Sequence, residues 1–140
     1  MKRLYLMRHG HSPTTGESGA ATDALRPLSE RGRADARRMA AELLRRGAAP
    51  GLILHSPLLR AAQTAAEVTP PLKPSKGCEL FAALDNTRPG EEVASEILAR
   101  CASVDEALAV GHQPQIGEIA AALGKELAEF RPATIVAIEL

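Results

Sequence analysis

Two arginines and two histidines follow apolar runs of the sequence, the place where open α/β sheets bind their ligands. Arg8 and His9 directly follow one run, His112 comes two residues after another, and Arg60 lies near the start of a helix predicted after a third. Gathering four potential cations is costly unless an anion binds among them. A guanidinium fork matches phosphate oxygens in pairs, and a neutral imidazole can act as a nucleophile. These residue types therefore indicate a site for a phosphate-sized dianion.

The spacing of apolar residues predicts the strands that would position these side chains. Short apolar runs with abrupt ends are typical of buried strands. The predicted strands are residues 4–7, 51–55, 107–110 and 134–140. Residues 79–81 are predicted as either a further short strand or a loop, because so short a run supports both.

Helical periodicity separates the predicted strands. The predicted helices are residues 29–47, 56–68, 89–101 and 114–124. Ser29 is the expected N-cap of the first helix, and Ser56 with Pro57 is expected to begin the second as N-cap and first helical residue. Three prolines after residue 68 predict an irregular connection. Residues 12–27 are a polar loop whose length is typical of functional or mobile segments.

Alternating strands and helices predict an α/β layer fold. The chain has 140 residues, enough for a substantial core, and we expect a single domain that spans residues 1–140. If the strands lie side by side and point the same way, the junctions that carry Arg8, Arg60 and His112 fall on one edge of the sheet. Helix N-termini at that edge would add backbone N–H groups and positive dipole ends.

The composition argues against several classes of partner. Lys plus Arg and Asp plus Glu number 17 each, and aromatic residues make up 2% of the chain, so nucleic-acid binding is not expected. The first apolar run is too short for a signal peptide, and no run reaches transmembrane length. We therefore expect a cytoplasmic protein without a membrane partner, and a monomer. Cys78 and Cys101 form no close-spaced motif and are expected to be reduced thiols.

Three motifs, in this order, resemble the histidine phosphatase superfamily, whose best-known branch holds the phosphoglycerate mutases. They are RHG at residues 8–10, SPLLRAAQTA at residues 56–65 and VGH at residues 110–112. The small size and the sequence DALRPLS at residues 23–29 are most similar to the short SixA-type phosphohistidine phosphatases. The resemblance implies a phosphoglycerate-mutase-like fold, a three-layer α/β/α sandwich whose central sheet is mostly parallel with one strand reversed.

The resemblance also implies a metal-independent phosphatase that works through a phosphohistidine intermediate and needs no cofactor. His9 would be the nucleophile. The phosphoryl group would be held by Arg8, Arg60 and His112. Phosphoryl transfer depends mostly on positioning and on stabilising the charge of the equatorial oxygens, which suits these side chains. Ser12, a polar residue of the following loop, is a further candidate for phosphate contact.

The general acid for the leaving group is open among three carboxylates, those of Asp23, Glu79 and Asp85. Asp23 is favoured because it matches an acidic position of the short SixA-type branch. Glu79 and Asp85 lie where larger members of the superfamily place a carboxylate, but no motif surrounds them. A good leaving group, such as the imidazole of a phosphohistidine, would need little assistance from an acid.

The same residues are compatible with other functions. His9 and His11 could be metal ligands, but a metal site needs three or four ligands, and the neighbouring arginines would repel a cation. The expected substrate is a phosphorylated protein, because little sequence is left to cap the pocket. A small phosphate ester is the alternative substrate, and a non-catalytic phosphate-binding module is the alternative to an enzyme. A mutase is less favoured, since it would need an enclosed site that keeps water from the intermediate.

Overall fold

The computed structural model describes residues 1–124 and 130–140, and these residues form a five-stranded sheet. The strands are β1 (Arg3–Arg8), β2 (Leu52–His55), β3 (Cys78–Leu80), β4 (Glu106–Gly111) and β5 (Ile135–Glu139). They lie in the order β3-β2-β4-β1-β5. The first four in this order are parallel, and β5 runs antiparallel to β1. The expectation of a mostly parallel sheet with one reversed strand is confirmed.

Helices connect the strands and cover both faces of the sheet. The helices are α1 (Thr15–Ser18), α2 (Glu30–Arg45), α3 (Leu59–Leu72), α4 (Gly90–Arg100) and α5 (Gln115–Ala122). Helices α2 and α3 pack against each other on one face, and α4 packs against α5 on the other. Short 3-10 turns lie at Asp23–Leu25 and Ala82–Leu84. No helix in the described part of the chain is long and apolar enough to cross a membrane.

Strand β1 shows how the sheet is held between the two helical layers. Leu4 and Leu6 pack into the core beneath α4 and α5, whereas Tyr5 and Met7 pack beneath α2 and α3. All four side chains are buried, and each such burial contributes roughly 1.5–3 kcal/mol. Side chains of a strand alternate between its two faces, so the sheet needs a cover on both. The predicted three-layer α/β/α sandwich is confirmed.

Helix α3 begins later than its sequence predicts. Its first residue is Leu59, and its N-cap residue Leu58 makes no side-chain cap hydrogen bond. Ser56 lies two residues earlier, where its Oγ accepts a hydrogen bond from the Leu58 N–H at 3.1 Å. The prediction that Ser56 is the N-cap, with Pro57 as first helical residue, was therefore wrong. The hydroxyl bonds a backbone N–H before the helix instead of one in its first turn.

Helix α3 also ends later than predicted, because it continues through Pro70 and Pro71 to Leu72. Each proline removes one backbone donor, which forfeits a hydrogen bond worth roughly 0.5–1.5 kcal/mol. Val68 and Leu72 are buried in the core on the same helix. Burying two aliphatic side chains contributes roughly 3–6 kcal/mol, so the packing outweighs the lost hydrogen bonds.

Two segments that could be loops, residues 12–27 and 79–81, contain regular secondary structure. Residues 12–27 contain helix α1 and the 3-10 turn at Asp23–Leu25. Thr14 and Glu17 form a capping box at the start of α1, a pattern readable from their spacing. At residues 79–81 the strand alternative is correct over two of the three, because β3 pairs with β2 as a parallel edge strand.

Both cysteines are free thiols, as predicted. Cys78 is exposed on β3, and Cys101 is buried after α4. Burial raises the pKa of the Cys101 thiol to about 11, so this thiol stays protonated and inert at neutral pH.

Candidate active site

The carboxyl ends of three neighbouring strands bring the predicted site residues together. Strands β2, β4 and β1 are adjacent and parallel, and their hydrogen bonding continues past the strand ends. The His9 N–H donates to the Gly111 carbonyl at 3.1 Å, and the Ser56 N–H donates to the Val110 carbonyl at 3.0 Å. The ring centroids of His9 and His112 consequently lie 5.1 Å apart.

His9 is held as a neutral imidazole with one nitrogen available. Its Nδ1 lies 2.7 Å from the carbonyl oxygen of Gly10. A carbonyl can only accept, so Nδ1 carries the proton and Nε2 keeps its lone pair. Burial, reinforced by the charges of nearby arginines, lowers the pKa of His9 to about 4, although the hydrogen bond to Gly10 opposes that shift. At neutral pH the ring therefore presents an unprotonated Nε2, which suits a nucleophile.

The turn that carries His9 is packed tightly against the start of helix α2. A Cβ on Gly10 would lie 2.7 Å from the Gly32 carbonyl oxygen, and a Cβ on Gly32 would lie 2.3 Å from the His11 carbonyl oxygen. Ser29 caps α2, as predicted, by accepting from the Gly32 N–H. The Nδ1 of His11 lies 2.7 Å from the Ser29 Oγ, so His11 fastens the turn to the helix.

The second turn of helix α3 contacts the chain around His9 from the other side. The Thr64 hydroxyl donates to the Arg60 carbonyl at 2.8 Å and accepts from the Gly10 N–H at 3.1 Å. The side-chain oxygen of Gln63 accepts from the Leu28 N–H at 2.8 Å. Gln63 and Thr64 thus bond the backbone near His9 and at the start of α2, and their role in the motif is to position these segments.

Arg8 and Arg60 reach the site from different elements. Arg8 is the last residue of β1, and its Nη1 donates to the Phe130 carbonyl at 2.7 Å. Arg60 is in the first turn of α3 and is 8% exposed. Its Nη1 donates to the Asp23 carbonyl at 2.8 Å and its Nη2 to the Asp23 Oδ2 at 3.0 Å. The guanidinium fork of Arg60 is therefore occupied by both oxygen groups of one residue.

His112 completes the cluster after β4. It is 3% exposed, and its Nε2 lies 2.7 Å from the Ser56 Oγ. Burial, together with the neighbouring His9 and Arg60, lowers the pKa of His112 to about 3. Both histidines are thus neutral at neutral pH, and the permanent positive charge of the site comes from arginine.

This arrangement agrees with a family assignment. Residues 4–91 match the sequence profile of the histidine phosphatase superfamily (branch 1). The chain belongs to the histidine phosphatase superfamily. The matched region includes the first two of the three junctions described above, at Arg8 and at Arg60.

Solved structures resemble this histidine phosphatase over nearly its whole length. A protein histidine phosphatase SixA complexed with tungstate is 29% identical, with a TM-score of 0.89 over 99% of this chain and 88% of that one. An Agrobacterium tumefaciens protein named as a phosphohistidine phosphatase SixA is 24% identical, with a TM-score of 0.83 over 99% and 91% of the two chains. A phosphoserine phosphatase mutant of Entamoeba histolytica, complexed with phosphoserine, is 15% identical, with a TM-score of 0.74 over 98% and 90%.

The last two likenesses concern the fold alone. A comparison with curated proteins gives no match. The family and the phosphatases among its structural neighbours make this chain a phosphatase, and its substrates are phosphorylated.

The charges around His9 in this histidine phosphatase suit a dianion. The positive charges of Arg60, Arg8 and Arg26 all lower the pKa of its ring. Asp23 supplies one carboxylate, bound to Arg60 and to the Arg26 Nη1 at 2.9 Å. Among the residues that the structure describes, three guanidinium groups surround the ring against the carboxylate of Asp23, and this excess of arginine suits an anion such as a phosphoryl group.

The three carboxylates considered as general acid have different surroundings. The hydrogen bonds from Arg26 and Arg60 hold the pKa of Asp23 below its ordinary value, so its carboxyl is ionised at neutral pH. Glu79 forms an ion pair with Arg100, at the end of α4 that leads toward the start of β4. Asp85 accepts from the N–H and hydroxyl of Thr87 in an exposed turn. Asp23 is thus the carboxylate that directly contacts a residue of the His9 cluster.

Arg26 is a residue of this site that the sequence analysis missed. Its Nε donates to the Pro13 carbonyl at 2.9 Å, and its Nη2 donates to the Ser12 carbonyl at 3.2 Å. The signal was present in the DALRPLS sequence, where Arg26 stands three residues after Asp23. Ser12 donates its hydroxyl proton to the Pro27 carbonyl at 2.7 Å. This bond closes the loop, and phosphate contact by Ser12 stays a prediction.

The two histidines considered as metal ligands each have their Nδ1 atom in another hydrogen bond. His9 Nδ1 is bonded to the Gly10 carbonyl, and His11 Nδ1 is bonded to the Ser29 hydroxyl. Within residues 1–124 and 130–140, no group of three or more His, Cys, Asp or Glu side chains could hold a metal ion. That part of the chain lacks the donor set of a metal site.

The close contact between the turn and α2 predicts the effect of Gly32→Ala. Alanine favours a helix interior over glycine by about 1 kcal/mol, but its Cβ would meet the backbone of His11 at 2.3 Å. We expect the clash to win, with a loss of about 1–3 kcal/mol in the free energy of unfolding and lower activity, since the displaced turn carries His9. Urea unfolding measures the first effect.

Gly16→Ala is the matched control, because a Cβ there would meet only the Thr14 Oγ1, at an ordinary contact distance of 3.9 Å, and the residue is also helical. It should leave stability unchanged or slightly raised. Equal stability of the two variants would contradict the predicted clash.

The buried neutral histidines predict how stability depends on pH. The pKa of His9 falls from 6.5 to about 4 on folding, and that of His112 falls from 6.5 to about 3. Between the lower folded-state pKa and 6.5, the unfolded chain binds protons that the folded chain does not, so the free energy of unfolding rises with pH in this range. We expect the free energy of unfolding to fall as the pH is lowered below about 6.5.

Urea unfolding at a series of pH values measures this slope. His9→Gln removes one of the two titrating groups and should flatten the slope between pH 6.5 and about 4. An unchanged slope in the variant would show that His9 is not the source.

Proposed function

We propose that this phosphatase hydrolyses phosphohistidine on a protein substrate, with His9 carrying the phosphoryl group between two transfer steps. The observation that carries the proposal is the state of the His9 ring. Its Nδ1–H is bonded to Gly10, its Nε2 is unprotonated, and three guanidinium groups act on it. Such a ring is a ready nucleophile beside a site for a dianion.

In the first step the His9 Nε2 attacks phosphorus, and the bond from phosphorus to the substrate's imidazole nitrogen breaks. The electron pair of that bond leaves with the substrate imidazole, which is a stable neutral group once it has a proton. The positive charge that develops on the His9 ring is stabilised by the Gly10 carbonyl that accepts from Nδ1–H. Arg8, Arg60 and His112 bind the phosphoryl oxygens during the transfer.

In the second step a water molecule attacks phosphorus and the bond to His9 Nε2 breaks. Inorganic phosphate leaves, the proton lost by the water is released, and His9 returns to its neutral state. The low pKa of His9 favours this second step, because a less basic nitrogen is a better leaving group. No metal ion takes part, since fixed cations hold the phosphoryl group.

Asp23 is the carboxylate proposed to supply a proton to the leaving group. In the resting site it is ionised, because Arg26 and Arg60 lower its pKa. A phosphoryl group on Arg60 would take the place of the Asp23 carboxylate and add negative charge beside it. Both changes raise the pKa of that carboxyl, so substrate binding itself would prepare Asp23 as an acid.

A protein substrate is supported by the short connections at two of the junctions that form the site. Strand β2 ends at His55 and α3 begins at Leu59; likewise β4 ends at Gly111 and α5 begins at Gln115. Connections this short cannot fold over a pocket. Leu25, next to the Asp23 region, is 54% exposed and could contact an apolar surface of a protein. The likeness to a protein histidine phosphatase SixA supports the same substrate class.

A comparison of substrates tests the proposal. The kcat/KM of the purified chain would be measured for a phosphohistidine-bearing protein domain and for a panel of small phosphate esters. We expect a clear preference for the protein, because remote contacts contribute binding energy that small esters cannot. A preference for one small ester would overturn the substrate assignment and favour a metabolite phosphatase.

A further inference from the structure

Ser56 is buried between β2 and α3 and makes two hydrogen bonds through one oxygen. It is 0% exposed. Its Oγ accepts from the Leu58 N–H at 3.1 Å and lies 2.7 Å from the His112 Nε2. The roles proposed for the two transfer steps fall on His9, His112, the arginines and Asp23, which leaves this hydroxyl without a role in that mechanism.

Counting the polar groups that stay unpaired favours one direction for the bond between Ser56 and His112. A hydroxyl has one proton and two lone pairs, and the Leu58 N–H uses one lone pair. If His112 Nε2–H donated to Ser56, the hydroxyl proton would be left buried with no acceptor among the described residues. If Ser56 donates to Nε2, the hydroxyl proton is bonded and the buried donor left unpaired within the described part of the chain is the His112 Nδ1–H instead. This arrangement leaves one of these polar groups unpaired in the resting site, whereas the first leaves two, the hydroxyl proton and the Nδ1 lone pair, so the second is favoured.

The other ring nitrogen of His112 shows what would satisfy this remaining donor. Its Nδ1 is buried and has no hydrogen-bond partner among the residues that the structure describes. The ring is neutral and therefore has a single ring proton to place. With Nε2 accepting from Ser56, that proton is on Nδ1. An unpaired Nδ1–H next to His9 needs an acceptor, and an oxyanion bound at His9 supplies one, whereas an Nδ1 lone pair would repel it.

We infer that Ser56 is a positioning residue: its hydroxyl fixes His112 as the Nδ1–H tautomer, so that Nδ1 donates a hydrogen bond to an oxygen of the bound phosphoryl group. The inference rests on the proposed function only for the identity of the bound anion. Ser56 acts through His112 and has no contact with the reacting atoms. The tautomer of a catalytic histidine is commonly set by the partner of its other nitrogen.

Nitrogen NMR of the chain labelled in its histidine side chains reads the tautomer directly, without any assay of turnover. In the resting protein we expect His112 to show a protonated Nδ1 and an unprotonated Nε2. Inorganic phosphate or tungstate should shift the Nδ1 signal, as expected for a new hydrogen bond to an oxyanion. A resting His112 with its proton on Nε2 would overturn the inference, whatever any variant does.

Ser56→Ala tests the role of the hydroxyl. We expect His112 to lose its fixed tautomer and kcat to fall about 10- to 100-fold, with a smaller change in KM. Ser56→Thr keeps a hydroxyl and should restore the Nδ1–H signal. Unchanged His112 signals in a folded Ser56→Ala protein would contradict the inference.

Thr69→Val is the matched control, since it too removes a side-chain hydroxyl and its hydrogen bond. The Thr69 Oγ1 donates to the Ala65 carbonyl within α3, away from the site. It should change neither the His112 signals nor kcat. The two proposals fail separately. A wild-type chain with the expected tautomer but no turnover of any phosphorylated substrate would refute the proposed function, and the Ser56 assignment would stand.

Discussion

His9→Ala is expected to abolish turnover, lowering kcat by at least about 10³-fold, because it removes the atom proposed to form the bond to phosphorus. The Nε2 of His9 is the unprotonated ring nitrogen of a neutral imidazole, held in place by the Gly10 carbonyl on Nδ1. A labelled phosphodonor followed by rapid quenching should trap an acid-labile, base-stable phosphoenzyme in the wild type. The same protocol should trap none in His9→Ala.

His11→Gln is the matched control for this experiment. His11 lies two residues after His9, but its Nδ1 is bonded to the hydroxyl of Ser29, the N-cap of α2. The variant should still form the phosphoenzyme, with a modest loss of stability from the missing hydrogen bond. Undiminished phosphoenzyme in His9→Ala, or its loss in a well-folded His11→Gln, would contradict the assignment of His9.

Arg60→Lys is expected to lower kcat/KM by about 10²- to 10³-fold although the charge is kept. The two terminal nitrogens of Arg60 grip the carbonyl and the carboxylate of Asp23 at 2.8 and 3.0 Å, which shows that the fork can hold two oxygens at once. A lysine offers one nitrogen and cannot reproduce that grip. Steady-state kinetics and the inhibition constant of inorganic phosphate would both report the loss.

Arg37→Lys provides a control of the same chemical change. Arg37 is 54% exposed on α2, and its Nη1 bonds to Glu67 at 2.9 Å, so the pair is screened by solvent. We expect its kcat/KM to stay within about twofold of the wild type. An Arg60→Lys enzyme as active as Arg37→Lys would show that Arg60 serves as a charge and not as a fork.

The elements of this fold were largely predictable because their signals are local. Apolar runs marked the four long strands, and Ser29 marked the start of α2, since a strand or a cap depends on residues close in sequence. The error at the end of α3 has the opposite cause. Pro70 and Pro71 are strong local signals for a break, but the burial of Leu72 in the core, a tertiary effect, decides the outcome.

In the candidate site, too, local motifs were predictable from the sequence and tertiary contacts were not. The motifs identified Arg8, His9, Arg60 and His112 as a group, and the structure places them around one sheet edge. The partner of each side chain was not predictable. Ser56 before a proline looks like an N-cap, yet its hydroxyl is bonded to a histidine that lies 56 residues away. Asp23 likewise finds Arg60 across 37 residues of chain, a pairing that only the folded sheet brings about.

If Arg60 binds the phosphoryl group as proposed, the Asp23 carboxylate competes with every phosphate-sized ligand for the same guanidinium. A group tethered to the site competes at an effective concentration that dilution does not change. Ligands that displace this carboxylate would all have their apparent dissociation constants raised by the same factor.

Weakly bound anions would then be excluded, while a substrate with contacts beyond the phosphoryl group would overcome the competition. The same carboxylate would return to Arg60 as inorganic phosphate departs, which would limit product inhibition. Asp23 would thus set a threshold for occupancy of the site.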